Sequence, residues 1–193
     1  SMSLILKSVL AAASLTLSLT IVASASLAAE SSQKTVSAKN TSEPAGPVCG
    51  ENRQPYRDLD FLVGHWEFFT MDGHKIADQT YSQKEQGCLV LEDWSTVTGE
   101  TGTGMNFVDP ATGKWRQVWM SPRFHIDYSG GLTQKGDFVL EGDMYPNNGQ
   151  PASKIKGIYS KQADGSVTKE FLQYDENAKE WKRFFIGVAR KKK

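Results

Sequence analysis

The chain is poor in the residues from which metal sites and nucleophilic sites are usually built. It has two cysteines, Cys49 and Cys88, and three histidines, His65, His74 and His125, among 193 residues. No Cys/His pair has the spacing of a zinc finger, and nothing in the spacing of the histidines indicates that they converge on a metal ion. We therefore expect neither a metal site nor a cofactor.

Excess charge is absent as well. The chain carries 22 lysines and arginines against 22 aspartates and glutamates, so its formal net charge is zero. The one basic cluster, residues 190–193, is best interpreted as a solvated tail. A balanced chain has no broad electrostatic attraction to phosphates, and we therefore expect no nucleic-acid partner.

Long apolar runs are few, and the one at the start has the layout of a secretory signal. Residues 1–29 combine Lys7 with an apolar stretch over 9–22 and small residues over 23–29, which is the three-part pattern of a signal peptide. Serine and threonine interrupt the apolar stretch, which disfavours the alternative of a membrane-spanning anchor. We therefore predict a periplasmic or secreted protein with no stable membrane span after the signal is removed.

Export has a consequence for the two cysteines. In an oxidising compartment an even number of cysteines usually means a bridge, so we predict a Cys49–Cys88 disulfide, with two buried free thiols as the alternative. Residues 30–50 are rich in Ser, Thr, Lys, Ala and Pro and almost lack large apolar side chains. Such a segment cannot bury enough surface to offset its ordering entropy, so we expect a flexible linker there and a folded domain over 51–193.

Short β-rich runs separated by turn residues fill the domain from His65 onward, and no long window keeps a helical period. Ahead of them, residues 54–63 have the apolar spacing of one short helical or 3₁₀ turn, which could cover one end of the fold. Asp72 with Gly73 is typical of a tight hairpin. The pattern predicts ten strands, near 65–71, 74–85, 88–98, 102–109, 114–120, 123–132, 137–144, 153–161, 167–174 and 180–190.

The short connections between these strands decide the predicted fold class. Strands joined by short turns pair antiparallel with their neighbours, and a twisted meander of about ten strands normally closes on itself to remove its edges. We therefore predict an all-β protein, an antiparallel up-and-down barrel preceded by a short helical turn. The alternative is a two-sheet sandwich with Greek-key crossings, which needs long crossovers that this chain lacks.

The short turn after Asp109 sets the register of the fourth and fifth strands. Alternation alone does not say which face is interior, because both faces mix apolar and polar groups. A face with two indoles and two amides suits a cavity that holds a ligand by apolar contact and orients it by a few hydrogen bonds, so we interpret it as the inner face. Its predicted pairs are Val108 with Trp115, Asn106 with Gln117 and Gly104 with Trp119.

The predicted function is the binding of a small apolar or amphipathic molecule inside the barrel. Glu92 and Trp94 share one face of the third strand and extend the proposed inner surface. For any single tryptophan the alternative is simple core packing. The predicted ligand-binding residues are Glu92, Trp94, Asn106, Trp115, Gln117 and Trp119.

Other functions stay open at this stage. A barrel enzyme, an isomerase, cyclase or hydrolase, would use Glu92 or Asp127 as a base with His125 as its partner. A structural envelope protein would instead dock a partner on an outer apolar patch that contains Met105, Phe107 and Val118. The sequence also leaves a homodimer open.

Three segments resemble a bacterial lipocalin-like, calycin-type family known as DUF1579. They are Gly64-His65-Trp66 at the first strand, GCLVLEDW over 87–94 and NFVDPATGKWRQVW over 106–119. The resemblance covers roughly 58–191 and implies a lipocalin-like β-barrel for the domain over 51–193, whereas the activity of the family is not established. The chain departs from the family pattern after Trp119. Similar barrels that bind haem use a histidine near the C-terminal end, and no histidine follows His125, so haem is not expected.

Overall fold

The computed structural model describes Cys49 and residues 53–193. The predicted signal peptide over 1–29 and all of the linker over 30–50 except Cys49 lie outside the described residues. The ten predicted strands are all present, with ends within two residues of those expected. They are β1 (Gly64–Phe69), β2 (Lys75–Lys84), β3 (Leu89–Thr96), β4 (Thr101–Val108), β5 (Trp115–Met120), β6 (Phe124–Leu132), β7 (Phe138–Pro146), β8 (Ser153–Lys161), β9 (Val167–Asp175) and β10 (Glu180–Lys191).

The strands form one closed antiparallel barrel in which every strand pairs with its neighbours in sequence. The barrel closes where β1 pairs with β10, with Trp66 opposite Lys191 and Phe69 opposite Val188. Closure satisfies the backbone groups that an open sheet would leave at its edges. The predicted up-and-down barrel is therefore confirmed, and the two-sheet sandwich is excluded.

The register of β4 and β5 is the predicted one. Asn106 lies opposite Gln117 and Gly104 opposite Trp119. Trp115 and Gln117 are each 2% exposed, because this face points into the barrel. The face with two indoles and two amides is thus the inner face.

One end of the barrel, which we call the base, is closed by the segment ahead of β1. A 3₁₀ turn spans Asp60–Leu62, and Leu62 is fully buried. The Trp66 indole donates a 2.6 Å hydrogen bond to the Leu62 carbonyl, and the Trp115 indole donates one of 3.2 Å to the Pro55 carbonyl. The helical turn predicted over 54–63 therefore covers the base.

A disulfide joins Cys49 to Cys88, as the cysteine count predicted. Cys88 follows a second 3₁₀ turn, Glu85–Gly87, between β2 and β3. The Arg57 guanidinium donates hydrogen bonds to the carbonyl oxygens of Cys49, at 3.2 Å, and of Gly87, at 2.9 Å. The bridge and Arg57 therefore hold the entering chain against the base.

The hydrophobic core fills the base half of the barrel. Its fully buried members there include Leu59, Val90, Phe138 and Ala189. The opposite end, which we call the mouth, is formed by the hairpin turns that follow β1, β3, β5, β7 and β9. Within the described part of the chain, no helix is both long and apolar enough to cross a membrane.

Candidate functional site

The mouth half of the barrel encloses a cavity of about 200 Å³. Its wall is aromatic, because the inward positions near the mouth ends of the strands carry Phe and Trp. Polar side chains form its floor, at the level where the packed base begins. The lining residues are Phe68, Gln79, Glu92, Trp94, Gln117, Trp119, Phe124, Ile126, Tyr128, Met144, Ile155, Tyr159, Lys169, Phe171, Phe184 and Phe185.

The aromatic rings of the wall contact one another around the cavity. The rings of Trp94 and Trp119 meet edge to face with centroids 6.4 Å apart, and the ring of Phe68 lies 5.2 Å from that of Trp94. Phe68 also stacks on Phe185 at 5.9 Å. Such pairs restrain one another, so the wall has a defined shape although Trp94 and Trp119 are only half-buried.

Two glycines of β4 make room for the Trp119 indole. A Cβ atom at Gly102 would lie 2.2 Å from Trp119 Cζ2, and one at Gly104 would lie 3.2 Å from Trp119 Cε3. Both positions face inward on the strand next to β5. The absence of side chains at both positions therefore leaves the space that the indole occupies.

The floor of the cavity holds a hydrogen-bonded cluster centred on Glu92, which is 4% exposed. The Gln79 amide donates to Glu92 Oε1, and Gln117 Nε2 lies 3.5 Å from Glu92 Oε2. Gln117 Nε2 also donates to Asn106 Oδ1 at 2.5 Å, while Asn106 Nδ2 donates to the Val90 carbonyl at 2.9 Å. A buried carboxylate thus has amide donors on two sides.

Lys169 supplies the positive charge of this cluster. Its ammonium donates to Gln79 Oε1 at 3.1 Å and to the Tyr81 hydroxyl, and it is 2% exposed. The rings of Tyr81 and Tyr159 lie 4.6 and 4.7 Å from Nζ. Gln79 therefore bridges a buried cation and the carboxylate of Glu92.

Burial shifts the titration of these groups away from their ordinary ranges. Loss of solvation lowers the pKa of Lys169 from 10.5 to about 8, and the charge of Glu92 opposes part of that shift. Loss of solvation also raises the pKa of Tyr81 and of Tyr159, with Glu92 adding to the rise. At neutral pH the floor therefore presents neutral hydroxyls and a lysine that releases its proton more readily than a lysine in water.

A pair of tyrosines completes the floor. The Tyr128 hydroxyl donates to Gln117 Oε1 at 2.5 Å and lies 3.3 Å from the Tyr159 hydroxyl. Burial raises the pKa of Tyr128 well above its ordinary value. The Gln117 amide is thereby held by partners at both its oxygen and its nitrogen.

Four of the six predicted ligand-binding residues line the cavity: Glu92, Trp94, Gln117 and Trp119. Asn106 and Trp115 also lie on the inner face, but closer to the base. The Trp115 ring packs edge to face on Phe138 at 5.9 Å. Trp115 therefore belongs to the packed core, which was the alternative considered for any single tryptophan.

The acid/base set of Glu92, His125 and Asp127 is not brought together. Glu92 points into the barrel, whereas His125 lies outside it and stacks on Tyr145 with centroids 4.7 Å apart. Asp127 is also outside, in a 2.6 Å ion pair with Arg116, which lowers its pKa. The inward orientation of His125 and Asp127 that the enzyme alternative requires is not found, because Ile126 and Tyr128 on the same strand are the buried residues.

The outer patch considered for partner docking does lie on the outside of the barrel. Met105 is 45% exposed, and Val118 is half-buried beside it across the strand pair. The Arg116 guanidinium lies 6.0 Å from the centre of the Phe107 ring, so a charged group covers part of the patch.

Lys169 is the main cavity residue that the sequence did not reveal. It stands in a Thr-Lys-Glu stretch that looks like a solvated strand position. The signal was present in the alternation of Val167, Lys169 and Phe171, in which a lysine takes a position of the apolar face. On β2, Gln79 likewise takes a buried position of the inner face, next to the buried Tyr81 two residues later.

The histidines stand apart in the fold. Among Cys49 and residues 53–193, no group of three or more His, Cys, Asp or Glu side chains is placed to hold a metal ion. The nearest polar or aromatic partners are Thr80 for His65, Asp72 for His74 and Tyr145 for His125.

Comparison with protein-family models and with curated proteins gives no match for this chain. The resemblance to DUF1579 therefore stays a prediction.

Proposed function

We propose that this protein is an exported binding protein whose barrel holds a small, largely apolar molecule that bears one polar group. The observation that carries the proposal is the cavity of about 200 Å³, with aromatic walls and a buried polar floor. Apolar walls with a few convergent polar groups are the usual composition of a small-molecule site.

The volume of the cavity limits the size of the ligand. An apolar protein cavity of about 150 Å³ binds benzene. A cavity of about 200 Å³ therefore suits one substituted aromatic ring or an aliphatic chain of similar bulk. Larger hydrophobic molecules would have to extend through the mouth, past the half-exposed rings of Trp94 and Trp119.

The floor of the cavity favours a ligand with a polar end. Glu92 and Gln117 offer acceptors and a donor, and Lys169 offers a cationic donor. A wholly apolar ligand would remove water from these groups without replacing its hydrogen bonds, which costs free energy. The polar end is therefore placed at the floor and the apolar part against the aromatic wall.

The disulfide and the sequence of the first residues support export. A Cys49–Cys88 bridge is typical of an oxidising compartment, and residues 1–29 have the pattern of a signal peptide. We place the protein in the periplasm or outside the cell. We also propose that it belongs to the lipocalin-like DUF1579 family, a proposal supported by the closed ten-stranded barrel, which is the architecture that the resemblance implies.

Intrinsic fluorescence tests the binding proposal. Trp94 and Trp119 line the cavity, so a bound ligand should quench or shift their emission. We expect saturable titration with benzyl alcohol and with other small apolar alcohols. Mass spectrometry of molecules extracted from the natively purified protein would identify what it carries.

Matched variants locate the signal in the cavity. Trp119→Phe should lose a large part of the response to benzyl alcohol. Trp181→Phe should keep it, because Trp181 lies on the outer face, where Lys156 Nζ is 4.3 Å from its ring centre. No saturable response from any alcohol, or an equal loss in both variants, would overturn the proposal.

A further inference from the structure

Lys169 combines three properties that binding of an apolar molecule does not require. Its amine borders the cavity, it is 2% exposed, and its position is held by Gln79 at 3.1 Å and by Tyr81. A polar anchor that needs only to donate a hydrogen bond is available from Gln117. The buried primary amine is a nucleophile when it is unprotonated.

We propose that Lys169 is a covalent attachment site for a small apolar aldehyde, which it holds at the cavity floor as an imine. The inference rests on the proposed binding function, because the aldehyde must first occupy the cavity, and it names the chemical class of the ligand. The polar end of the ligand is then the carbonyl group.

The step is a condensation that balances without any other reactant. The lone pair of the unprotonated Lys169 nitrogen forms a bond to the carbonyl carbon, and the C=O π pair moves to oxygen. The nitrogen loses a proton and the oxygen gains one, which gives a carbinolamine. The C–O bond then breaks, a second nitrogen proton leaves with the oxygen as water, and the C=N bond forms. Over the two stages the nitrogen gives up two protons, and the oxygen leaves with both of them as water.

The groups that face Lys169 favour this chemistry. Tyr81 on β2, Glu92 on β3 and Tyr159 on β8 act on its amine, while Gly187 on β10 lies opposite Lys169 in the sheet. With a pKa of about 8, the unprotonated fraction of Lys169 near neutral pH is on the order of a hundredfold larger than that of a lysine in water. The negative charge of Glu92 also stabilises a protonated imine.

The wall protects the product once it has formed. Imines in water are hydrolysed readily, and exclusion of water from a closed site suppresses such side reactions. Here Lys169 borders the same cavity as the rings of Phe171 and Trp119, so an imine at its nitrogen would form inside an aromatic wall. The aromatic wall then contacts the apolar part of the aldehyde.

Reductive trapping tests the proposal with the full chain. The folded protein is incubated near neutral pH with benzaldehyde and cyanoborohydride, which reduces an imine to a stable secondary amine. We expect the intact mass to rise by one benzyl group per molecule, and peptide mapping to place it on Lys169 at least about tenfold faster than on any other lysine. Labelling spread over exposed lysines, or absent from Lys169, would overturn the inference.

Two variants and one non-reactive ligand separate this inference from the binding function. Lys169→Arg keeps the cation but has no primary amine, and Lys156→Arg makes the same change on the outer face. We expect only Lys169→Arg to abolish the label. If the wild-type protein binds benzyl alcohol but gives no label at Lys169, the covalent site is refuted and the binding function stands; if it neither binds nor is labelled, both are refuted. Should Lys169→Arg fail to fold, the peptide map of the wild-type protein decides.

Discussion

At the scale of the residue, Lys169 makes the stability of the barrel depend on pH. Its pKa is about 8 in the folded protein and 10.5 in an ordinary lysine. Between these values the unfolded chain binds more protons than the folded chain, so the free energy of unfolding rises with pH through that window. Relative to Lys169→Met, we expect the wild-type protein to gain about 2 kcal/mol between pH 7 and pH 10, measured by urea denaturation.

The matched control for this experiment is Lys156→Met on the outer surface. Lys156 is partly exposed beside Trp181, so its substitution should leave the pH dependence unchanged. A constant difference between wild type and Lys169→Met from pH 7 to pH 10 would show that Lys169 titrates as a solvated lysine.

Tyr128 has the opposite effect to Lys169: its contribution to the stability of the folded protein falls as the pH rises above 10. Its hydroxyl donates to Gln117 at 2.5 Å, and burial raises its pKa well above 10. We expect Tyr128→Phe to destabilise the protein by about 1 to 2 kcal/mol at pH 7, because Gln117 loses its main donor.

The raised pKa gives that prediction a second readout. A hydroxyl that ionises in the unfolded chain but not in the folded one adds stability below pH 10 and loses it as the pH rises further. As the pH rises above 10, the free energy of unfolding, measured by urea denaturation, should therefore fall less for Tyr128→Phe than for the wild type. Tyr145→Phe, which changes a tyrosine that is 40% exposed, is the control. Equal slopes in the two variants would contradict the prediction.

At the scale of the element, β4 shapes the cavity because Gly102 and Gly104 have no side chains. In Gly102→Ala the new Cβ atom would lie 2.2 Å from Trp119 Cζ2, so the indole must move. We expect a loss of about 1 to 3 kcal/mol in stability and weaker binding of benzyl alcohol in a fluorescence titration. Thr103→Ala on the same strand points outward and should leave binding unchanged.

A crystal structure of Gly102→Ala with Trp119 in its original position would contradict this account. Unchanged affinity for benzyl alcohol despite a displaced indole would show instead that Trp119 is not a ligand contact.

Strands β4, β5 and β6 also show how well period-two alternation predicts which side chains point into the barrel. On β4 and β5 the turn after Asp109 predicts the register, and the observed pairs agree. On β6 the enzyme alternative needs the face of His125 and Asp127 to point inward, and the structure places that face outside the barrel. Ile126 and Tyr128 face inward because burial of two large side chains outweighs any placement of a histidine in the lumen.

At the scale of the whole molecule, the base of the barrel contributes stability and the mouth half contains the proposed binding site. The Cys49–Cys88 bridge acts at the base, and the cavity opens towards the mouth. We expect Cys49→Ser with Cys88→Ser to lower the free energy of unfolding by about 2 to 4 kcal/mol. The dissociation constant for benzyl alcohol should stay within about twofold of the wild-type value, since the change in binding free energy would be under about 0.5 kcal/mol.

Denaturation of the oxidised protein and of the double variant, with parallel fluorescence titrations, tests this separation. A large loss of affinity in a variant that is still folded would show that the base and the cavity are coupled.

The sequence by itself determined the positions of the ten strands and the register of β4 and β5, and it favoured a closed barrel and a Cys49–Cys88 disulfide over their alternatives. Strand positions and register depend on turn chemistry and period-two alternation, which act over short stretches of chain, whereas the disulfide follows from the even number of cysteines. Only the tertiary structure decided which inward residues border a cavity and which are packed core. Lys169 contacts Gln79 and Tyr81 from across the barrel, and Trp115 meets Pro55, because closing the sheet brings together residues that no local pattern relates.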